Sequence, residues 1–152
     1  MYKDETLLNH IVVELFNEIL KTEEHTISNS EFDNISLKEI HVIEAVCVCE
    51  EQNLDNSATS IATTLKITPG SLTTSVSLLE KKGYLKRKKD DKDKRIVRIY
   101  STKNGREAHK IHMDFHHEMV EETLKNLTSE EIEVLIKSIE SIEAFFKKKI
   151  EG

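Results

Sequence analysis

The chain has 152 residues, enough for one domain with a real core, and 33% of them are charged against 38% apolar. The net charge is −6, yet Lys66 to Arg106 carry 13 Lys/Arg against 4 Asp/Glu, so that segment is +9 and the remainder −15. No apolar run nears the roughly 20 residues of a membrane span. No Gly-rich phosphate loop, nucleophile elbow or paired-Cys zinc spacing points to an enzyme.

The N-terminal MYKDETLLNH lacks a signal-peptide pattern, which sets the expectation of a cytoplasmic protein. Leu7, Leu8, Ile11, Val12, Leu15, Phe16, Ile19 and Leu20 then follow a helical rhythm, predicting a first helix from about Asp4 to Glu24 with a broad apolar face. A polar loop, HTISNSEFDN, follows. Ser36 with Glu39 forms a capping box that opens a second helix bearing Ile40, Val42, Ile43, Val46 and Cys47 and ending near Cys49. Cys47 and Cys49 point to different faces of that helix and cannot pair with each other.

Asn56 or Ser57 caps a third helix carrying Ile61, Ala62 and Leu65. Thr68-Pro69-Gly70 starts a fourth, with Thr68 as N-cap and Pro69 at the first position, where a missing N–H costs nothing. This helix runs to Lys82, buries Leu72, Val76 and Leu79, and stops at Gly83. Strands follow at Tyr84–Lys88 and Arg95–Ser101, joined by the tip DDKDK, with Val97 and Ile99 on one face and Arg98 and Tyr100 on the other. A long helix runs from near Thr102 to about Asn126. Thr128 with Glu131 caps a last one bearing Ile132, Leu135, Ile139, Ile142, Phe145 and Ile150. The expected class is mainly α, with a single β-hairpin after the fourth helix.

The basic segment is where an anionic partner belongs. Apart from its buried stripe, the fourth helix offers Thr68, Gly70, Ser71, Thr73, Thr74 and Ser77, small polar residues that let a helix approach base edges in a major groove. An ordinary solvated helix face has the same composition, so the neighbouring hairpin decides. It carries Lys88, Lys89, Lys92, Lys94 and Arg95, with Asp93 two residues before Arg95 and spaced to orient its guanidinium outward, a natural probe of a narrow minor groove. Double-stranded DNA is the expected partner.

The strings Ile61-Ala62-x-x-Leu65-x-Ile67-Thr68, Leu72-Thr73-x-x-Val76-x-x-Leu79-Glu80-x-Lys82-Gly83-Tyr84-Leu85-x-Arg87, Asp93-x-Arg95 and Thr102-x-x-Gly105 resemble the MarR family of winged helix-turn-helix regulators. The resemblance covers the element order and the whole length. It implies one domain over 1–152, with a DNA-binding lobe at 35–101 and dimerisation helices at 1–30 and 102–152. It further implies a homodimer on a palindromic operator, the fourth helix in the major groove and the hairpin as a wing. Ser101 departs from the family, which usually has Leu there; this is expected to loosen the hairpin packing slightly. A dimer also follows from the residues themselves. Leu7, Leu8 and Ile11 at one end and Ile139, Ile142, Phe145 and Phe146 at the other cover more helix surface than a small core can bury.

Within the family, His112-x-x-Phe115-His116-x-x-Met119-Val120-Glu121 and Ile35-Ser36-Leu37-Lys38-Glu39-Ile40-His41 look like the branch that represses fatty-acid synthesis. That branch implies long-chain acyl–acyl-carrier-protein as corepressor and an acyl cavity between the first, second and fifth helices. Phe16, Ile40, His41, Ile43, His112, Phe115, His116 and Met119 are the candidate lining, although plain core packing is the better account of any one of them taken alone. The expectation is no metal. Against it stands a zinc site built from Glu24, His41, His112 and His116, since His109, His112 and His116 share a helix face and zinc-sensing relatives exist. The family resemblance also admits a small-molecule-responsive regulator. Outside this class stands a helical interaction protein that binds no DNA, which leaves the +9 segment without a purpose.

Overall fold

The computed structural model describes residues 3–151. Its elements are α1 (Lys3–Ser28), α2 (Leu37–Gln52), α3 (Ala58–Leu65), α4 (Pro69–Lys81), β1 (Leu85–Lys89), β2 (Val97–Ser101), α5 (Lys103–Leu124) and α6 (Ser129–Glu151). The protein is mainly helical with one two-stranded antiparallel sheet, the winged-helix arrangement. It forms two compact units, one ending at Phe115 and one beginning at His116, so the division falls within α5.

The first unit is built around α2. Ile40, Ile43 and Val46 are sealed from solvent, and Ile61, Leu72, Val76, Leu79, Leu85 and Ile99 close over them. Each such side chain contributes about 1.5–3 kcal/mol of burial as an upper bound. The capping box is made in full: Glu39 N–H donates to Ser36 Oγ at 3.1 Å, and Ser36 N–H donates to Glu39 Oε1 at 3.1 Å. Asn53 ends α2 in the left-handed region, φ 54°, which Asn tolerates.

Two helices run past their expected ends. The helix α1 runs through His25 to Ser28, because Ile27 continues its apolar face into the core at 2% exposure and Ser30 N–H closes on the Ile27 carbonyl at 3.1 Å. The α2 helix continues past Cys49 to Gln52. The first hairpin strand keeps its expected length but is shifted by one residue, and the second begins later than expected. Tyr84 lies before β1, and Arg95 and Ile96 lie in the turn, where Ile96 N–H bonds the Asp93 carbonyl at 3.0 Å.

Ser101 corrects a further expectation. It is 4% exposed, and its N–H and Oγ–H both donate to Glu50 of α2, at 2.6 and 2.5 Å, while Arg106 of α5 donates to its carbonyl at 3.1 Å. The polar residue does not loosen the hairpin. It joins β2 to α2 and α5 by hydrogen bonds in place of apolar contact.

The Thr-x-x-Gly pattern has a steric reason. Thr102 N–H bonds the Tyr84 carbonyl at 3.1 Å, and Thr102 Oγ1 donates to the Gly83 carbonyl at 2.6 Å. The same oxygen accepts Gly105 N–H at 3.2 Å, so Thr102 caps α5. A side chain at Gly105 would run into the Tyr84 carbonyl.

In the second unit, α6 opens with a capping box between Thr128 and Glu131, made by bonds of 3.0 and 3.2 Å. None of its described residues is buried in the single chain.

Candidate nucleic-acid interface

Three local features hold α4 in place. Ser57 caps α3 by accepting Ser60 N–H at 3.2 Å, and Lys66 turns the chain at φ 57°. Thr68 then caps α4 by accepting Ser71 N–H at 3.1 Å, with Pro69 in the first turn. With Leu72, Val76 and Leu79 facing the core, Thr68, Gly70, Thr73 and Thr74 face solvent, and Ser71 and Ser77 are half-buried. Thr73 Oγ1 donates to the Pro69 carbonyl at 2.9 Å and Thr74 Oγ1 to the Gly70 carbonyl at 3.1 Å. The outward face of α4 carries no charge until its last turn, where Glu80 and Lys81 stand.

The hairpin pairs Lys88 with Arg98, two like charges directly opposite, an arrangement that repels unless it is neutralised. Two aspartates answer it. Asp90 takes Arg98 Nε at 3.0 Å, and Asp91 lies 3.8 Å from Lys88 Nζ. Asp90 also accepts the N–H groups of Lys92 and Asp93 at 3.1 and 2.9 Å, so one carboxylate both folds the turn and holds the arginine. Those backbone bonds, with Arg98, pull its pKa from 3.8 to about 2. Asp93 receives Arg95 Nε and Nη2 at 3.0 and 3.1 Å, a two-pronged grip on a side chain that stays 91% exposed. Lys89, Lys92 and Lys94 lie along the hairpin, and among the described residues no carboxylate lies in ion-pair range of them. Arg87 is different: Glu80 of α4 holds its guanidinium at 3.1 Å and its N–H at 2.9 Å, tying wing to helix.

The wing is also fastened at its base, by residues that sequence reasoning passes over. Arg98 Nη1 reaches Asp55 at 2.7 Å, Asn56 Nδ2 donates to the Ile99 carbonyl at 2.9 Å, and Ile99 N–H returns to the Asn56 carbonyl at 3.1 Å. In the sequence Asp55 and Asn56 stand only as the approach to a helix cap. The one available signal is a lone arginine alternating with apolar residues in β2.

The histidines gather differently from the expected metal set. Glu23, not Glu24, meets His41, Oε2 to Nε2 at 3.6 Å; Glu23 is buried and Glu24 exposed, a one-residue step of about 100° around the helix. The His41 and His112 rings stand edge to face at 5.5 Å, and potential ligand atoms of Glu23, His41 and His112 lie within 4.8 Å of one another. His112, 1% exposed, pairs with Glu44 at 2.9 Å, and that hydrogen bond holds the Glu44 carboxyl below its ordinary range. His116 belongs to the second unit.

The residues expected to line an acyl cavity differ widely in burial. Ile40 and Ile43 are sealed at 0% exposure because they face the lobe's core, whereas Phe16 stands 61% exposed. Phe115 is half-buried, and Met119 lies in the second unit. An open groove of about 650 Å³ lies between α2 and α3, with His41, Val48, Leu54 and Leu65 among its walls. No described helix is long and apolar enough to cross a membrane.

These features define a winged-helix DNA-binding protein, and comparison with known proteins agrees. A family model described as a winged helix DNA-binding domain matches residues 51–120. The solved structure of Streptococcus pneumoniae FabT in complex with DNA is similar at TM-score 0.85 and 33% identity, covering 95% of this chain and 98% of that one. The MarR/EmrR family transcriptional regulator from Acinetobacter sp. ADP1 shares the fold at TM-score 0.68 and 20% identity, over 97% and 99% of the two chains. The S. aureus MepR–DNA complex shares it at 0.71 and 17%, over 91% and 95%. No curated protein sequence matches the chain. The chain belongs to the MarR family of winged helix-turn-helix regulators and is a DNA-binding transcriptional regulator of that type.

Proposed function

We propose that the protein is a homodimeric repressor of fatty-acid or membrane-lipid synthesis genes, with long-chain acyl–acyl-carrier-protein as corepressor. One observation carries the DNA-reading mode: the small, uncharged face of α4 lies beside a hairpin whose Arg95 is held outward by Asp93. In this reading α4 enters the major groove of each half-site, with Thr68, Gly70, Ser71, Thr73, Thr74 and Ser77 at the bases and phosphates. The hairpin tip, with Lys88, Lys89, Lys92, Lys94 and Arg95, follows into the adjacent minor groove. The dimer is supported by two apolar faces left open in the single chain. Leu7, Leu8 and Ile11 on α1 are 49–60% exposed, and Ile139, Ile142, Phe145 and Phe146 on α6 are 41–57% exposed. A two-fold dimer sets its reading helices about 34 Å apart, one DNA turn, and so selects a palindrome.

The lipid assignment is supported by the likeness to FabT over nearly the full length of both chains, together with the motifs around His41 and His112. The test is a footprint on the chain's own promoter and on fatty-acid synthesis promoters, with and without long-chain acyl–acyl-carrier-protein. Protection strengthened by the acylated carrier supports the proposal. Protection that ignores it removes the corepressor, and no protection at either promoter removes the lipid targets.

The Glu23–His41–His112 cluster favours a second reading, a zinc-responsive regulator. Two imidazoles and a carboxylate suit zinc, which takes nitrogen and oxygen ligands at about 2.0–2.2 Å. Metal analysis of purified protein together with DNA binding titrated against zinc decides it. Metal-free protein whose DNA binding ignores zinc removes this reading.

A further inference from the structure

From Thr68 to Leu79 the reading helix contains no Arg, Lys, Asn, Gln, Asp or Glu. The side chains that grip guanine or adenine with two hydrogen bonds are therefore missing from it. On the helix body Thr73, Thr74 and Leu78 are exposed while Ser71 and Ser77 are half-buried, and both threonine hydroxyl protons are committed to the helix's own carbonyls, at 2.9 and 3.1 Å. Each threonine thus offers a methyl group and an oxygen lone pair, and no free donor. Guanine presents only acceptors in the major groove, so these two threonines have no hydrogen bond to give it. Cytosine presents a donor but no methyl. An A·T pair presents both partners at once, the C5-methyl of thymine and the N6 donor of adenine. Gly70, with open space where a side chain would stand, lets the first turn come close.

We propose that this helix reads A·T pairs through their thymine methyls, with Thr73 and Thr74 as the specificity-determining residues. The inference rests on the DNA-binding reading above and deepens it. The wing fits the same target, because A·T runs have the narrow minor groove that draws in an arginine such as Arg95.

The experiment begins with the full-length protein selecting duplexes from a random DNA library. The best duplex is then remade with deoxyuridine for individual thymines, which deletes only the methyl. Each thymine under the helix is expected to cost about four-fold in affinity on losing its methyl, the equivalent of about 0.8 kcal/mol for one buried methyl-sized group. Thymines elsewhere are expected to be silent. T73S and T74S keep the hydroxyl and drop the methyl. Each is expected to bind the unmodified duplex several-fold more weakly and to lose the preference for thymine over deoxyuridine at its own position. Three results overturn the inference alone: a selected site with G·C pairs under the helix, deoxyuridine tolerated at every position, or serine variants that keep the full thymine preference. A library from which nothing is enriched overturns DNA reading itself, and this inference with it.

Discussion

Replacing Gly105 with alanine isolates the joint between wing and α5. Built on the present backbone, the new Cβ lies 2.2 Å from the Tyr84 carbonyl oxygen and 3.3 Å from its carbon. Ordinary contact begins at 3.4 Å, so α5 and Tyr84 must separate by about 1.2 Å, the difference between 3.4 and 2.2. The obstacle is backbone and has no rotamer to adopt. The displaced carbonyl also accepts Thr102 N–H at 3.1 Å, and Thr102 in turn caps the helix. Overpacking of this kind costs about 1–3 kcal/mol, and a weakened backbone hydrogen bond adds about 1 kcal/mol. Against this, alanine in place of glycine inside a helix gains about 1 kcal/mol. The clash wins, and G105A is expected to lose about 2 kcal/mol. Urea unfolding at matched protein concentration measures it, with a lower midpoint and an unchanged slope. A G105A protein as stable as the parent, or more stable, would refute the close approach and leave helix propensity as the only effect.

The wing and the lobe carry the remaining predictions. R95A is expected to leave the protein folded and to weaken operator binding, lowering the slope of log affinity against log salt by about one per protomer; an unchanged slope removes Arg95 from the DNA. R98M cuts the bonds to Asp90 and Asp55 without touching the outward face, so it is expected to weaken DNA binding with little change in secondary structure, while R98K restores part of it; equal binding by all three proteins removes the base of the wing as a positioning element. Asp90 titrates near 2 when folded against 3.8 ordinarily, so its contribution to stability is complete above 3.8 and fades as pH falls towards 2. D90N is expected to flatten that part of a urea-midpoint profile, and a profile identical to the parent's sinks the assignment. Burial pushes the Cys47 thiol up to about 12, so it is expected to resist alkylation in the native protein at about pH 8, near the ordinary thiol range. Rapid labelling read by mass spectrometry contradicts that.

The α4 helix is legible in the sequence because its information is local. Leu72, Val76 and Leu79 fall on one stripe, and Thr68-Pro69 announces the start just ahead of Leu72. Asp93 and Arg95 are two apart, so their pairing is also written in the chain. The base of the wing is not legible, because Arg98 meets Asp55 across 43 positions, and nothing in an alternating basic strand says which arginine turns inward. Glu50 and Ser101 are 51 apart, and a serine in a mostly apolar strand position advertises a weakness until its partner is known. The choice between Glu23 and Glu24 hangs on the phase of α1, which Ile27 sets from beyond the expected helix end. Ile40 and Ile43 are legible as buried but not as sealed, since periodicity marks a face and says nothing about whether space is left against it.

The Glu50–Ser101–Arg106 junction makes the hairpin a lever. Its fulcrum is where β2 meets α5, and three elements grip that point with hydrogen bonds of 2.5–3.1 Å. Five paired residues and a turn project the tip about 20 Å beyond it. A tilt of about 5° at the fulcrum therefore swings Arg95 by about 2 Å, more than the tolerance of a hydrogen bond. Stiffness at the pivot turns a shift too small to disturb the core into a displacement of the Arg95 guanidinium large enough to make or break its contact with a partner.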